Sequence, residues 1–173
     1  MGALAFAALQ TLHRPGVHNT VIYYNVVTLC QGLQAGDGAY CTIQKALPLL
    51  SRGASVILNG SINGLIGMAG TSVYAASKAA LRSFARTRTA DVVDRGIRVN
   101  VIGPGPVTTP IFGRLGLTPE ALEALATRVE QNVPIKRFGN PREIAHAVVF
   151  LASDESTVFL GAELVADGGL SQL

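Results

Sequence analysis

The run "ASVILNGS", Ala54 to Ser61, is the feature that most constrains the fold. It is short, apolar without alternation and ends in turn residues, which is the pattern of a strand buried on both faces. A strand of that kind belongs in a parallel sheet covered by helices on each side, because only there is neither face wet. The remaining strands read the same way. "NTVIYYNVVTL", Asn19 to Leu29, is β-branched and aromatic with no breaker inside, "IRVNVI" follows as the next strand of the pattern, and "AELVADGG" supplies a last strand and turn.

Helical signals fill the gaps. A glycine-rich connection, "QGLQAGDGA", leads into "YCTIQKALPLLSRG", which is apolar at Ile43, Ala46, Leu47 and Leu50 and is shortened at its end by Pro48. Ser72 to Asp94 predicts a long helix closed by Gly96 as a left-handed cap. "TPEALEAL" opens a helix with Thr118 as cap and Pro119 in the first helical position, and "NPREIAHAVVFLAS" opens another with the capping-box pair Asn140 and Glu143. The leading "MGALAFAALQTL" reads as a short helix; it has no basic flank and stops at Pro15, far short of a membrane span. Alternating strands and helices in this order define a doubly wound α/β domain, whose ligands bind beyond the carboxyl ends of the strands. That places chemistry at Asn59 to Ser61, at Gly103 to Thr109 and just after Leu29.

Composition agrees with a single domain over residues 1–173: 49% of residues are hydrophobic and 14% charged, ample for a buried core. The net charge of +3 is spread along the chain with few aromatics beside it, which argues against a nucleic-acid surface. From Gly38 to Ala90 there is no Asp or Glu, while Lys45, Arg52, Lys78, Arg82, Arg86 and Arg88 are basic; the segment suits either an anionic ligand or a solvated helix face. Cys30 and Cys41 lack metal-ligand spacing and read as buried free thiols in a reducing, cytoplasmic setting. No metal site and no membrane segment are expected.

The chemistry concentrates in "GSINGLIGMAGTSVYAASKAALRSFAR", Gly60 to Arg86. Tyr74 and Lys78 are four apart near the start of a predicted helix, so they share a face one turn apart. An ammonium close to a phenol favours the phenolate and moves a tyrosine toward neutral pH, where it serves as a general acid or base. Ser61 leaves the preceding strand at its carboxyl end, and Gly64, Gly67 and Gly70 give the connection freedom to fold its hydroxyl back beside the phenol. Two hydroxyls on one carbonyl oxygen would polarise and protonate it. A Tyr with Lys at the fourth place is weak evidence alone; the Ser offset and the strand, loop and helix context make it specific. In the turn "GPGPVTTP", Gly105 would allow backbone to approach a flat ligand, Pro104 and Pro106 stiffen the wall, and Thr108 and Thr109 offer hydroxyls. Asp167, Gly168 and Gly169 read as turn chemistry, and His146 as structural.

"YAASKAALRSFAR", the Ser61 offset, "IRVNVIGPGPVTTP" and "GAELVADGG" together resemble the short-chain dehydrogenase/reductase family, from about residue 40 to 173. The resemblance implies a Rossmann-like parallel sheet, NAD or NADP as cofactor, a small alcohol or carbonyl substrate and a homo-oligomer, dimer or tetramer. It implies that Ser61 polarises the substrate carbonyl, that Tyr74 donates or accepts the proton, and that Lys78 lowers the Tyr74 pKa and binds the nicotinamide ribose. Pro104, Gly105, Val107 and Thr109 would line the nicotinamide pocket, and Ile111 to Gln131 would form a substrate lid. The family's opening strand and Thr-Gly-x-x-x-Gly-x-Gly turn have no counterpart before Tyr40, so the sheet would be truncated, with residues 1–39 a divergent segment. Gly32, Gly36 and Gly38 reproduce the glycine spacing of a phosphate turn, or form a plain glycine-rich connection. Ala35 falls where the family has its catalytic asparagine, with Asn25 and Asn19 as other candidates. The alternative to an active oxidoreductase is an inactive remnant or an oligomerising interaction subunit.

Overall fold

A computed structural model describes residues 6–10, 21–25, 34–109 and 118–173. Five strands form one sheet in the order β1 (Phe6–Gln10), β2 (Val21–Asn25), β3 (Ser55–Asn59), β4 (Arg98–Pro104), β5 (Glu163–Ala166). Strands β2 to β5 are parallel, with Val21 opposite Ser55, Ser55 opposite Arg98 and Val101 opposite Glu163. β1 pairs antiparallel with β2, Phe6 opposite Asn25. The segment expected as a short helix at the start of the chain is therefore a strand at Phe6–Gln10. A stretch this short gains more from laddering onto β2 than from one or two helical turns of its own.

Helices α1 (Gln34–Ala46) and α2 (Ser72–Val92) precede and follow β3, and α3 (Pro119–Asn132) and α4 (Pro141–Ala152) lie between β4 and β5. Side chains alternate along the central strands as the pleat requires. Val56, Leu58, Val99 and Val101 pack on Ala39, Ile43, Leu81, Ala85 and Val92 of α1 and α2. Ile57 and Ile102 face the opposite way, onto Leu151 and Ala152 of α4 with Ile144 and Val148 beside them. Both faces of β3 and β4 are thus covered, as the short apolar run Val56 to Leu58 predicts.

Helix ends follow the capping signals. Thr118 accepts from the Ala121 amide at 3.3 Å, Asn140 accepts from the Arg142 amide at 2.9 Å, and Glu143 accepts from the Asn140 amide at 2.7 Å, completing the capping box. Helix α2 ends in a 3-10 turn, Val93–Arg95, closed by Gly96 at φ 67°. The glycine-rich connection is shorter than its composition suggests: Gly36 and Gly38 lie inside α1, so they form no phosphate turn there, and Gly32 falls outside the described residues. Ala35 is likewise in the first turn of α1, Asn25 closes β2, and Asn19 falls outside the described residues. Cys41 is free and exposed on α1, not buried, while Cys30 is outside the described residues.

One buried charge belongs to the frame. Arg98 on β4 is 5% exposed and donates to the carbonyls of Leu151 (2.9 Å) and Ser153 (3.0 Å) at the end of α4 and of Ser156 (3.1 Å) in the 3-10 turn after it. Burial pulls its pKa below the ordinary arginine value, with the Asp154 charge opposing. Arg98→Met leaves those carbonyls without their charged donor, so urea denaturation should show a loss of about 3 kcal/mol.

Candidate active site

The carboxyl ends of β3 and β4 are neighbours, with Asn59 opposite Ile102 and the Gly60 amide donating to the Ile102 carbonyl at 2.7 Å. The chain leaving β3 therefore starts its loop beside the turn that leaves β4. Ser61 is 8% exposed and caps a 3-10 turn, Ile62–Gly64, its Oγ accepting from the Asn63 amide at 3.2 Å.

That turn packs tightly on α2. A Cβ at Gly64 would lie 2.9 Å from the Ala79 nitrogen and 3.0 Å from the Lys78 carbonyl carbon. Gly64 is thus needed for close approach, not for flexibility, and the approach is to the very residue that carries the site's charge. Gly70 is the glycine that the backbone conformation requires, at φ 79°, while a Cβ at Gly67 would meet open space.

Lys78 is 2% exposed, and its Nζ donates to the Asn59 main-chain carbonyl at 2.8 Å. The same Nζ stands 5.5 Å from the centroid of the Tyr74 ring, one turn earlier on α2. Burial lowers the Lys78 pKa to about 8, because the ammonium has been taken from water into a largely apolar seat. Tyr74 is 42% exposed, so its ring has one side on the ammonium and another open to an incoming molecule. Sequence offsets placed Tyr74 and Lys78 together; the Asn59 carbonyl could not be foreseen, since a main-chain acceptor has no residue-type signal.

The turn after β4 is held from two sides. The Gly105 amide donates to the Ala166 carbonyl at 3.1 Å, and a Cβ at Gly105 would lie 2.7 Å from the Asp167 Cα. Gly105 therefore admits the backbone of the terminal turn, a closer partner than the flat ligand inferred for it from sequence. Asp167 fixes that terminal turn by accepting from the Gly169 amide (2.9 Å), the Ser171 amide (2.7 Å) and the Ser171 hydroxyl (2.6 Å), the turn chemistry expected of it. On the other side, Gly139 donates its amide to the Pro106 carbonyl at 2.8 Å and accepts from the Thr108 amide at 3.0 Å, forming an isolated bridge with Val107. The turn that holds Pro104, Gly105, Val107 and Thr109 is thus tied to the end of β5 through Gly105 and to the residue before α4's cap through Pro106, Val107 and Thr108. Sequence reading missed Gly139; its place just before the capping box was the available clue. Of the expected lid, residues 118–131 are the cap and body of α3, and residues 111–117 are outside the described residues. His146 is exposed on α4. Among the described residues, no cluster of His, Cys, Asp or Glu could hold a metal, and no helix is long and apolar enough to cross a membrane.

A parallel α/β sheet with Ser61 just past β3 and with Tyr74 and Lys78 one turn apart on α2 is a Rossmann-like arrangement. Residues 35–171 match the family model described as enoyl-(acyl carrier protein) reductase, and the chain belongs to the short-chain dehydrogenase/reductase family. It is 41% identical to Oxidoreductase asL5 of Sarocladium schorii over 138 residues, 79% of this chain and 53% of that protein. Its fold superposes on a short-chain dehydrogenase/reductase from Serratia marcescens with a TM-score of 0.73 and 31% identity, covering 87% of this chain and 65% of the other. A blue fluorescent protein from a metagenomic library, solved in complex with NADPH, matches with a TM-score of 0.68 and 32% identity over 80% of this chain and 53% of its own. The chain spans about half the length of the curated relatives it matches.

Proposed function

We propose that this chain carries the proton-transfer centre of an NAD(P)-dependent oxidoreductase that interconverts small alcohols and carbonyl compounds. The observation that carries the reading is the seat of Lys78: a buried ammonium fixed on the Asn59 carbonyl, against the ring of a half-open Tyr74, beside the turn that begins with Ser61.

The donor set fits a nicotinamide nucleoside. Lys78 supplies a charged donor for ribose hydroxyls, and the wall of Pro104, Gly105, Val107 and Thr109 gives a flat ring something rigid to lie against. When bound, such a cofactor supplies or takes up the hydride; every other role falls to the chain. Ser61 donates its hydroxyl hydrogen to the substrate oxygen and draws electron density from the carbon. Tyr74 gives its phenolic proton to that oxygen in reduction and takes it back in oxidation. Lys78 stabilises the negative charge that develops on the Tyr74 oxygen, its field strengthened by the removal of water around it. Self-association through the outer face of α1 and α2 belongs to the same reading. Tyr40 is exposed there, with the Arg88 guanidinium 4.7 Å from its ring centroid.

Titration of the purified chain with NADPH and with NADH, followed by nicotinamide fluorescence, is expected to give saturable binding of one or both. The NADPH complex of the metagenomic neighbour makes NADPH the first to try. Absence of binding by either cofactor at millimolar concentration overturns the reading for this chain.

A further inference from the structure

A partly buried ion pair, its arginine side chain 28% exposed, lies one helical turn beyond Lys78 and takes no direct part in the proposed reaction. Glu163 opens β5 opposite Val101, on the sheet face that α2 covers. Its side chain is 9% exposed, and its Oε2 is paired with Nε of Arg82 on α2. The same guanidinium reaches the turn that follows Ser61, Nη1 donating to the Gly64 carbonyl at 3.4 Å.

The carboxylate does not stand above its own strand. It lies across the two neighbouring ones: a Cβ at Gly103 of β4 would be 2.8 Å from Glu163 Oε1, and one at Gly60, just past β3, would be 3.5 Å from it. A side chain at Gly103 would enter the space that the carboxylate occupies, whereas one at Gly60 would touch the carboxylate but collide first with Val101, 2.6 Å away. Gly60 precedes Ser61, and Gly103 is two residues before Gly105. Glu163 therefore underlies the starting points of both loops that form the site. Burial pushes the Glu163 carboxyl above its usual range, and the charges of Arg82 and Arg86 pull it back. An apolar side chain would fill a helix–sheet interface without that desolvation cost, so a partly buried pair here stands out as a device for placement.

We propose that Arg82 and Glu163 are positioning residues: by locking α2 over the ends of β3 and β4, the pair keeps Lys78 seated on Asn59 and the Ser61 turn pressed on the helix. Its kinetic consequence rests on the proposed function; its structural consequence does not. The chain has three lysines, so lysine labelled with carbon-13 at Cε gives a spectrum in which Lys78 is assigned by its loss in Lys78→Arg. Tyr74 faces the Lys78 ammonium, and the next charged groups on the packed elements are Arg82 and Arg86 on α2 and Glu163 on β5.

The lysine titration is followed in the parent, in Glu163→Gln and in Arg82→Met. Through-space charge alone would lower the Lys78 midpoint in Glu163→Gln, which removes an anion, and raise it in Arg82→Met, which removes a cation. Loss of the buried seat raises it in both, and the expected result is a rise of about one pH unit or more in each. If Arg82→Met fails to fold because a carboxylate is left alone, the double variant Arg82→Met/Glu163→Gln replaces it. It buries no charge, and positioning still predicts a rise where charge alone predicts almost none. An unchanged midpoint, or shifts of opposite sign, overturns the proposal. In a parent that turns over substrate, kcat should also fall by about tenfold in the variants while cofactor affinity holds. A parent that binds no cofactor, yet shows the common rise, defeats the proposed function and leaves the positioning role standing.

Discussion

Tyr74→Phe is expected to lower kcat by about a thousandfold, the middle of the range for loss of a general acid or base, while NAD(P)H affinity and thermal stability barely change. The asymmetry follows from the geometry. The ring stays and keeps its face on the Lys78 ammonium, since phenylalanine presents the same π surface. Only the hydroxyl goes, from a side chain that is 42% exposed, so the change in stability should be within about 0.5 kcal/mol. Steady-state kinetics with a panel of small ketones and secondary alcohols, together with a cofactor titration and a melting curve, separates the outcomes. A variant that still turns over at a tenth of the parental rate would show that the proton travels by another group. A variant that loses turnover and cofactor affinity together would make Tyr74 a binding residue instead.

Lys78→Met is expected to move stability and activity in opposite directions. The folded-state pKa of Lys78 is lowered from 10.5 to about 8, so between those values the unfolded chain holds a proton that the folded chain has given up. Folding stability therefore rises with pH across that window, and at pH 7 the fold carries the full cost of a buried ammonium, about 3 kcal/mol. Methionine removes that cost and also the hydrogen bond to the Asn59 carbonyl, worth about 1 kcal/mol, so the variant should gain about 2 kcal/mol at pH 7. Urea denaturation at pH 7 and again above pH 10 checks the sign: the advantage of the variant should shrink as pH rises and reverse to a deficit of about 1 kcal/mol, the lost hydrogen bond, once the parental lysine is neutral in both states. Turnover should be lost in the same variant. In the parent it should decline as pH rises through about 8, where Lys78 gives up the charge that supports Tyr74. A residue that costs stability and supports chemistry in this way is what a stability–activity trade-off predicts for a functional site. Equal losses in both would instead make Lys78 a structural residue.

The parts of the molecule that were legible in advance are those decided by near neighbours in the chain. The strands β3 and β4 could be read because a run that is apolar on both sides of the pleat has few other places to go. Helices α3 and α4 begin where Thr118 and Asn140 offer oxygen to the next free amides, an interaction complete within four residues. Tyr74 and Lys78 share a face because helical geometry alone brings positions four apart together. What escaped notice involved contacts between distant segments. Phe6–Gln10 became a strand by pairing with Val21–Asn25, against the local expectation of a helix. Gly36 and Gly38, which composition assigned to a turn, entered α1. Gly105 made room for Asp167, and Arg82 found Glu163 from the far end of the chain.

The same division runs through the site itself. By itself, the sequence determined the doubly wound plan, the family, and the identities and helical spacing of Ser61, Tyr74 and Lys78. Tertiary structure decided that Lys78 is buried, that its Nζ rests on a main-chain carbonyl nineteen residues back, and that the Ser61 turn lies against it through Gly64. The reason is physical: residue types and their intervals fix which groups are available, whereas a lysine's charge is shifted by desolvation, and desolvation depends on what the whole sheet and its helices pack around it.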